Sequence, residues 1–306
     1  MALKRSLIEF LIFKAFRGLV RTLPRPVCLS LGRGLGFLAY ALDGRHRRLA
    51  LSNLRTAFGD GMTGRARSRT ARASFLHFGA TLFDIFKLAG RGHAEVASRI
   101  SVEGAENLRA ALRQGKGALL FTAHFGNWEV GSVPIARMGR LSVVARPLDN
   151  ARLERELLAV RSRLGAEIIY KSWATRPILH ALRRNEMVAI LIDQNVLRDQ
   201  AVFVDFFGKP AATTPALATF HLRTGAPLLP VFCVPGPPRG YRLKIHPPLR
   251  IRPEGDFGRD VLKITQVCTK IIEGEIRERP GLWLWFHNRW KSRPAGAPSG
   301  AKKGCR

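Results

Sequence analysis

From residue 100 onward the 306-residue chain alternates short apolar runs with helical patterns, and this alternation restricts its fold more than any other feature. "GALLFTA" (117–123), "LSVVAR" (141–146), "AEIIY" (166–170), "MVAILID" (187–193) and "APLLPVFCV" (226–234) read as buried strands. Helix candidates lie between them at 104–114, 128–139, 151–164, 175–184 and 214–224. Pro177 falls in the first turn of the fourth. In the fifth, Thr214 reads as the cap and Pro215 as the first helical position. Strands separated by helices pair in parallel, which predicts an α/β fold with a mostly parallel central sheet flanked by helices. "YRLKIHPPLRI" (241–251) reads as an added edge strand. In the segment that follows, Val261, Ile264, Val267, Cys268, Ile271, Ile272 and Ile276 are read onto one face of a long helix that Pro280 ends.

The first 95 residues have a different texture. "RSLIEFLIFKAFRGLVR" is apolar, but Glu9, Lys14 and Arg17 interrupt it, short of the roughly 20 clean residues that a membrane span requires. Lys14, Arg17 and Arg21 share one helix face. "VCLSLGRGLGFLAYAL" follows, interrupted by Arg33, and no small-residue cleavage site follows the first run. Two basic amphipathic segments in series predict a chain lying on a membrane surface, where each Lys or Arg near anionic lipid gains about 1 kcal/mol. Two core-facing helices would give a similar pattern. "DGRHRRLALSNLRTAFGD" and a stretch from the Thr63 cap to Gly90 continue the helical reading. Three regions follow: a basic amphipathic, membrane-associated part (1–95), an α/β domain (96–291) and a basic tail of disordered composition (292–306).

Lys and Arg number 51 against 22 Asp and Glu, a net charge of +29, and 18 of the excess charges lie in residues 1–72 and 289–306. Such an excess concerns partners: nucleic acid, an anionic membrane or an acidic protein. No helix-turn-helix, zinc-finger or RNP-like signature is present, and the aromatic residues sit in apolar runs, so nucleic acid is not expected. Cys28, Cys233, Cys268 and Cys305 are too scattered for a disulfide frame or a zinc site.

One short stretch carries candidate chemistry. "AHFGNWE" (123–129) follows the first strand, at the end where ligands bind in open α/β sheets. Asn127 is a natural cap for a helix beginning at Trp128. His124 and Glu129 would diverge by about 140° on a continuous helix, so they meet only if the chain turns between them, which Gly126 permits. A carboxylate on one imidazole nitrogen would fix the tautomer and let the other nitrogen take a proton from a hydroxyl. The spacing alone is common, and a loop histidine bonded to backbone explains it equally well.

Further stretches agree in order with one family. "AHFGNWE" resembles the H-x4-D/E block of the lysophospholipid and lipid A acyltransferases, in particular their bacterial late-acyltransferase branch. "VARPLDN" (144–150) is similar to that branch's Arg-Pro element. "DQNVLRDQAVFVDFFGKPAATTPALATF" (193–220) resembles its long central block, although D-Q-N departs from the more usual D-Q-D. "RPGLWLWFHNRWK" (279–291) resembles its closing signature. The resemblance spans residues 5 to 291 and implies acyl transfer from an acyl thioester, as co-substrate, to a hydroxyl of a membrane lipid. It implies no metal, no other cofactor and no covalent enzyme intermediate. It makes His124 the general base and Glu129 its orienter, with Arg146, Asn127 and Asp193 as substrate-binding residues, Arg146 as a clamp on phosphate. Asn127 and Trp128 also read as residues that shape the turn, and Asp193 as a cap. Phe206 and Phe207 read as core before acyl contact, and His287, Arg289 and Trp290 as packing. His77, His93, His180, His221 and His246 show no ligand spacing.

Acyl carrier protein or acyl-CoA would be the donor, and a lipid A precursor the leading acceptor. A lysophospholipid, an ornithine lipid or a phosphoinositide mannoside would fit the same motifs. The implied site of action is the cytoplasmic face of the bacterial inner membrane, with the chain acting as a monomer. No G-x-S-x-G elbow supports a serine hydrolase.

Overall fold

The computed structural model describes residues 2–237 and 240–295; the expected tail, 292–306, lies outside the described residues from 296 onward. Four helices come first: α1 (Ala2–Thr22), α2 (Arg25–Leu42), α3 (Gly44–Phe58) and α4 (Gly64–Leu88). Then follow α5 (His93–Ala97), β1 (Ile100–Glu103), α6 (Ala105–Leu112), β2 (Ala118–Thr122), α7 (Trp128–Ala136), β3 (Leu141–Ala145), α8 (Ala151–Arg163), β4 (Ala166–Tyr170), α9 (Thr175–Arg183) and β5 (Met187–Leu191). The chain continues through β6 (Val202–Phe206), β7 (Lys209–Thr213), α10 (Ala216–Thr224), β8 (Leu228–Gly236), β9 (Gly240–Ile245) and α11 (Phe257–Glu278).

Seven strands form one sheet in the order β1-β9-β8-β2-β5-β3-β4, and β6 and β7 form a separate antiparallel pair. Every neighbour in the large sheet is parallel except β8–β9. The mostly parallel α/β fold expected from the alternation is present. The expected edge strand is not an edge: β9 returns from β8 through a short connection and lies between β8 and β1, with Val231 opposite Ile245. The outer places belong to β1 and β4.

The sheet is buried on both faces, as parallel sheets are. Leu119, Phe121, Val188 and Ile190 point to a core shared with α3, α4, α9, α10 and α11. Ala118, Leu120 and Met187 point to the other face, covered by α6, α7 and α8. Through Ala50, Leu54, Ala71 and Phe75, α3 and α4 join the first of these cores.

The N-terminal helices pack on one side and stay open on the other. A Cβ on Gly32 of α2 would lie 2.6 Å from the Gly79 carbonyl oxygen of α4, so backbones meet there with no side chain between them. Phe16 of α1 packs edge-on against Phe83 and Phe86 of α4, at 4.8 and 5.5 Å between ring centres. Lys14 and Arg17 pair with Glu156 of α8. Leu7, Ile8, Leu11 and Ile12 of α1 and Leu31, Leu35 and Leu38 of α2 remain exposed. Among the described residues, no helix is long and apolar enough to cross a membrane.

Candidate active site

Strands β2 and β5 lie side by side in parallel with Thr122 opposite Leu191, and the Ile192 amide donates to the Thr122 carbonyl at 3.3 Å. Two residues further along, the same register sets His124 beside Asp193. His124 Nδ1 lies 2.9 Å from Asp193 Oδ1. The other oxygen, Oδ2, accepts the His124 backbone N–H at 2.9 Å and the Trp283 indole N–H at 2.8 Å. Burial by itself would raise the Asp193 carboxyl. The charge and hydrogen bonds of His124, with the Trp283 indole, outweigh it and hold the group below the usual carboxylate range. Asp193 is thus an ionised acceptor, which puts the imidazole proton on Nδ1 and leaves the Nε2 lone pair free to take another. The imidazole side chain is 21% exposed and the Asp193 side chain 2%. The amide nitrogen of Gln194 lies 3.3 Å from His124 Nε2.

The expected contact between His124 and Glu129 is corrected by this geometry. Both Glu129 oxygens face Arg161 of α8, which donates from Nη2 at 2.7 Å and from Nε at 3.0 and 3.2 Å. The cause is local. The Asn127 side chain accepts from the Val130 amide and starts α7 at Trp128, which swings Glu129 toward α8 and away from the imidazole.

Gly126 makes the turn possible. Its φ is +63° and a Cβ there would collide with the Cys233 carbonyl. Asn127, expected to bind substrate, is fully buried. Its amide also donates to the Tyr241 hydroxyl at 2.9 Å, so it shapes the turn. Asp193, expected to bind acceptor or to cap, is buried against the imidazole. Arg146 follows β3 at the same sheet end, but its side chain is 80% exposed and pairs with Asp149 at 3.0 Å. The structure does not join it to the His124–Asp193 pair.

The chain near the C-terminus holds both site turns. Gly126 donates to the Leu282 carbonyl at 3.0 Å, and Leu284 donates to the His124 carbonyl at 3.2 Å. The Asn195 amide donates to His287 Nε2 at 3.0 Å. Burial pushes the His287 imidazole down to about 4, which keeps it a neutral acceptor. Arg289, fully buried, donates to the carbonyls of Ala212 and Gln194 and to the Thr213 hydroxyl. The closing signature therefore packs, as expected, and what it packs is the site.

Beside the site runs a narrow apolar slot between α7 and one face of the sheet. Leu120, Trp128, Ile135, Val143, Leu191 and Leu243 line it, with Glu129 and Thr122. Trp128 also meets the His124 ring edge-on, 4.9 Å between centres. Among the described residues no group of three or more His, Cys, Asp or Glu could hold a metal ion.

The family model of the bacterial lipid A biosynthesis acyltransferases matches residues 3–292. The chain belongs to that family. It is therefore an acyltransferase, of the class that acts on glycolipids. A phosphatidylinositol mannoside acyltransferase of Mycobacterium tuberculosis is 30% identical over 226 residues, covering 71% of this chain and 69% of the relative. The lipid A biosynthesis palmitoleoyltransferase of Escherichia coli is 29% identical over 279 residues, covering 90% and 89%. The lipid A biosynthesis lauroyltransferase of the same organism is 29% identical over 283 residues, covering 92% and 90%.

For an acyltransferase, what the sequence reading missed is that Asp193, which it named only for substrate binding or capping, is the partner of a histidine 69 residues away. The available signal was that "AHF" and "IDQ" both end apolar strands. In a parallel sheet, residues just beyond neighbouring strands share one crevice.

Proposed function

We propose that this chain is a membrane-associated O-acyltransferase that moves a fatty acyl group from an acyl thioester, carried by acyl carrier protein, to a hydroxyl of a glycolipid such as a lipid A precursor. The observation that carries the reading is the His124–Asp193 pair at the C-terminal edge of the sheet, with Nδ1 on the carboxylate and Nε2 turned away from it. His124 takes the proton of the acceptor hydroxyl as its oxygen attacks the thioester carbonyl. Asp193 holds the tautomer and stabilises the imidazolium, the role that Glu129 was expected to fill. The slot beside Trp128 offers a hydrocarbon chain an apolar wall, where each buried CH₂ contributes about 0.8 kcal/mol.

Several features support a membrane surface at this edge. Leu148, Trp173 and Leu197 are exposed, and they follow the C-terminal ends of β3, β4 and β5, on the same side as His124. The start of α1 lies there too, since Ser6 donates to Asn150 at the head of α8 at 3.0 Å. The exposed apolar faces of α1 and α2 and the basic charge between them suit the cytoplasmic, anionic face of a bacterial inner membrane. The same positive surface suits the acidic acyl carrier protein.

The similarity to a phosphatidylinositol mannoside acyltransferase favours a second reading, in which the acceptor is a phosphoinositide mannoside and the donor acyl-CoA. Mass spectrometry of lipids from cells lacking the protein separates the two, because the missing acyl chain names its acceptor. His124→Ala is expected to lower turnover by about 10²–10⁴ with the fold intact. Near-normal turnover in that variant removes the mechanism.

A further inference from the structure

We propose that Gln194 is a catalytic residue whose side-chain amide donates a hydrogen bond to the thioester carbonyl oxygen as that oxygen becomes an oxyanion. This deepens the acyltransferase reading above and rests on it.

The orientation of the amide follows from hydrogen-bond logic. With the imidazole proton on Nδ1 facing Asp193, Nε2 offers only a lone pair. The group 3.3 Å away must therefore be the NH₂ end of Gln194. In the resting chain this N–H answers the His124 lone pair. When an acceptor hydroxyl takes that lone pair, the amide loses its partner at the moment charge develops one atom away.

The step balances. The hydroxyl proton moves to His124 Nε2, the oxygen forms a bond to the carbonyl carbon, and the carbonyl π pair moves onto oxygen. Collapse re-forms the carbonyl and breaks the carbon–sulfur bond, and the departing thiolate takes the proton from His124. Between the two halves an oxyanion needs a donor, and such donors are among the strongest contributors to acyl transfer.

The turn after β2 does not provide it. The His124 amide is bonded to Asp193, and those of Phe125, Gly126 and Asn127 to the carbonyls of Ala123, Leu282 and Cys233. Those four amides are engaged, and Gln194 is the side-chain amide that already touches the base. Its backbone carbonyl accepts from Arg289 at 3.4 Å, and both neighbouring residues are held. Trp283 holds Asp193 at 2.8 Å, and His287 and Ser292 hold Asn195 at 3.0 and 2.9 Å. Such preorganisation costs no rearrangement during the reaction.

The test uses the full chain in detergent micelles, with dodecanoyl-acyl carrier protein as donor and a lipid A precursor as acceptor. Gln194→Ala is expected to lower kcat by about 10²-fold or more with the donor KM within a few-fold. A dodecylsulfonyl analogue of the donor, whose tetrahedral oxygens mimic the intermediate, should bind at least about tenfold more weakly to the variant. A thioether analogue lacking those oxygens should bind equally to both. Should Gln194→Ala fail to fold, Gln194→Glu keeps the shape but not the donor and should lose turnover similarly. Wild-type kcat in either folded variant overturns the assignment of Gln194 if His124→Ala is inactive. Wild-type activity in His124→Ala overturns the acyltransferase mechanism itself. Equal weakening of both analogues marks Gln194 as structural and also overturns the proposal.

Discussion

Asp193 meets three donors with two oxygens, so its replacement alters more than charge. Asp193→Asn keeps the outline but brings an NH₂ toward the imidazole or the indole. Where it faces the imidazole, Nδ1 must become an acceptor and the ring proton moves to Nε2, the atom that has to receive one. We expect kcat to fall by about 10²–10⁴ in steady-state assays, with unchanged far-UV circular dichroism. Glu129 and Arg161 should instead register in stability: a double-mutant cycle with Glu129→Gln and Arg161→Met, read by thermal unfolding, should return a coupling of about 0.5–3 kcal/mol.

Two histidines set an acid limit. Burial holds His77 and His287 down to about 4 in the folded chain, against about 6.5 in an unfolded one. Between those values the unfolded state binds more protons. Their contribution to stability is therefore full above about pH 6.5 and is lost as pH falls toward 4, by at most about 1.4 kcal/mol per pH unit for each. Thermal midpoints measured across that window should fall, and less steeply in His77→Gln. His124 could be read from the string because it ends an apolar run before a turn glycine. Asp193 could not be read as its partner, since only strand register brings them together.

At the level of elements, α2 and α4 are joined by a glycine seam. Gly32→Ala would place a methyl 2.6 Å from a backbone carbonyl, and no flexible side chain can yield there. We expect a loss of about 1–3 kcal/mol in denaturant unfolding, with the slope unchanged. Most strands and helices of the sheet region were legible, because a strand buried on both faces reads as an unbroken apolar run. The β6–β7 hairpin was not. Its tight turn at Phe207 and Gly208, both at positive φ, lay inside a stretch read as one motif block. β1 escaped because four residues of mixed polarity give little signal, and β9 looked peripheral because its place depends on β1. Of the N-terminal helices, α1 and α2 each pack along one stripe and leave apolar residues of another exposed.

On the scale of the whole molecule, the net charge of +29 and the open apolar faces of α1 and α2 should act together. Binding to vesicles containing anionic lipid, measured by flotation, should exceed binding to neutral vesicles and weaken as salt rises, since charges more than about 10 Å apart are screened at 0.1 M. Ile12→Glu, at an exposed site on α1, should weaken vesicle binding at every salt concentration while leaving thermal unfolding unchanged.

The bonds from Leu282, Leu284, His287 and Arg289 to the turns at 124–126 and 194–195 carry a consequence for biosynthesis. A ribosome that has delivered 280 residues has already made base, acid and amide, but not the segment that buttresses both turns from behind. Full activity is expected only after residues 282–289 have been delivered. A nascent chain resting early against a bilayer would carry its catalytic groups on turns without that support.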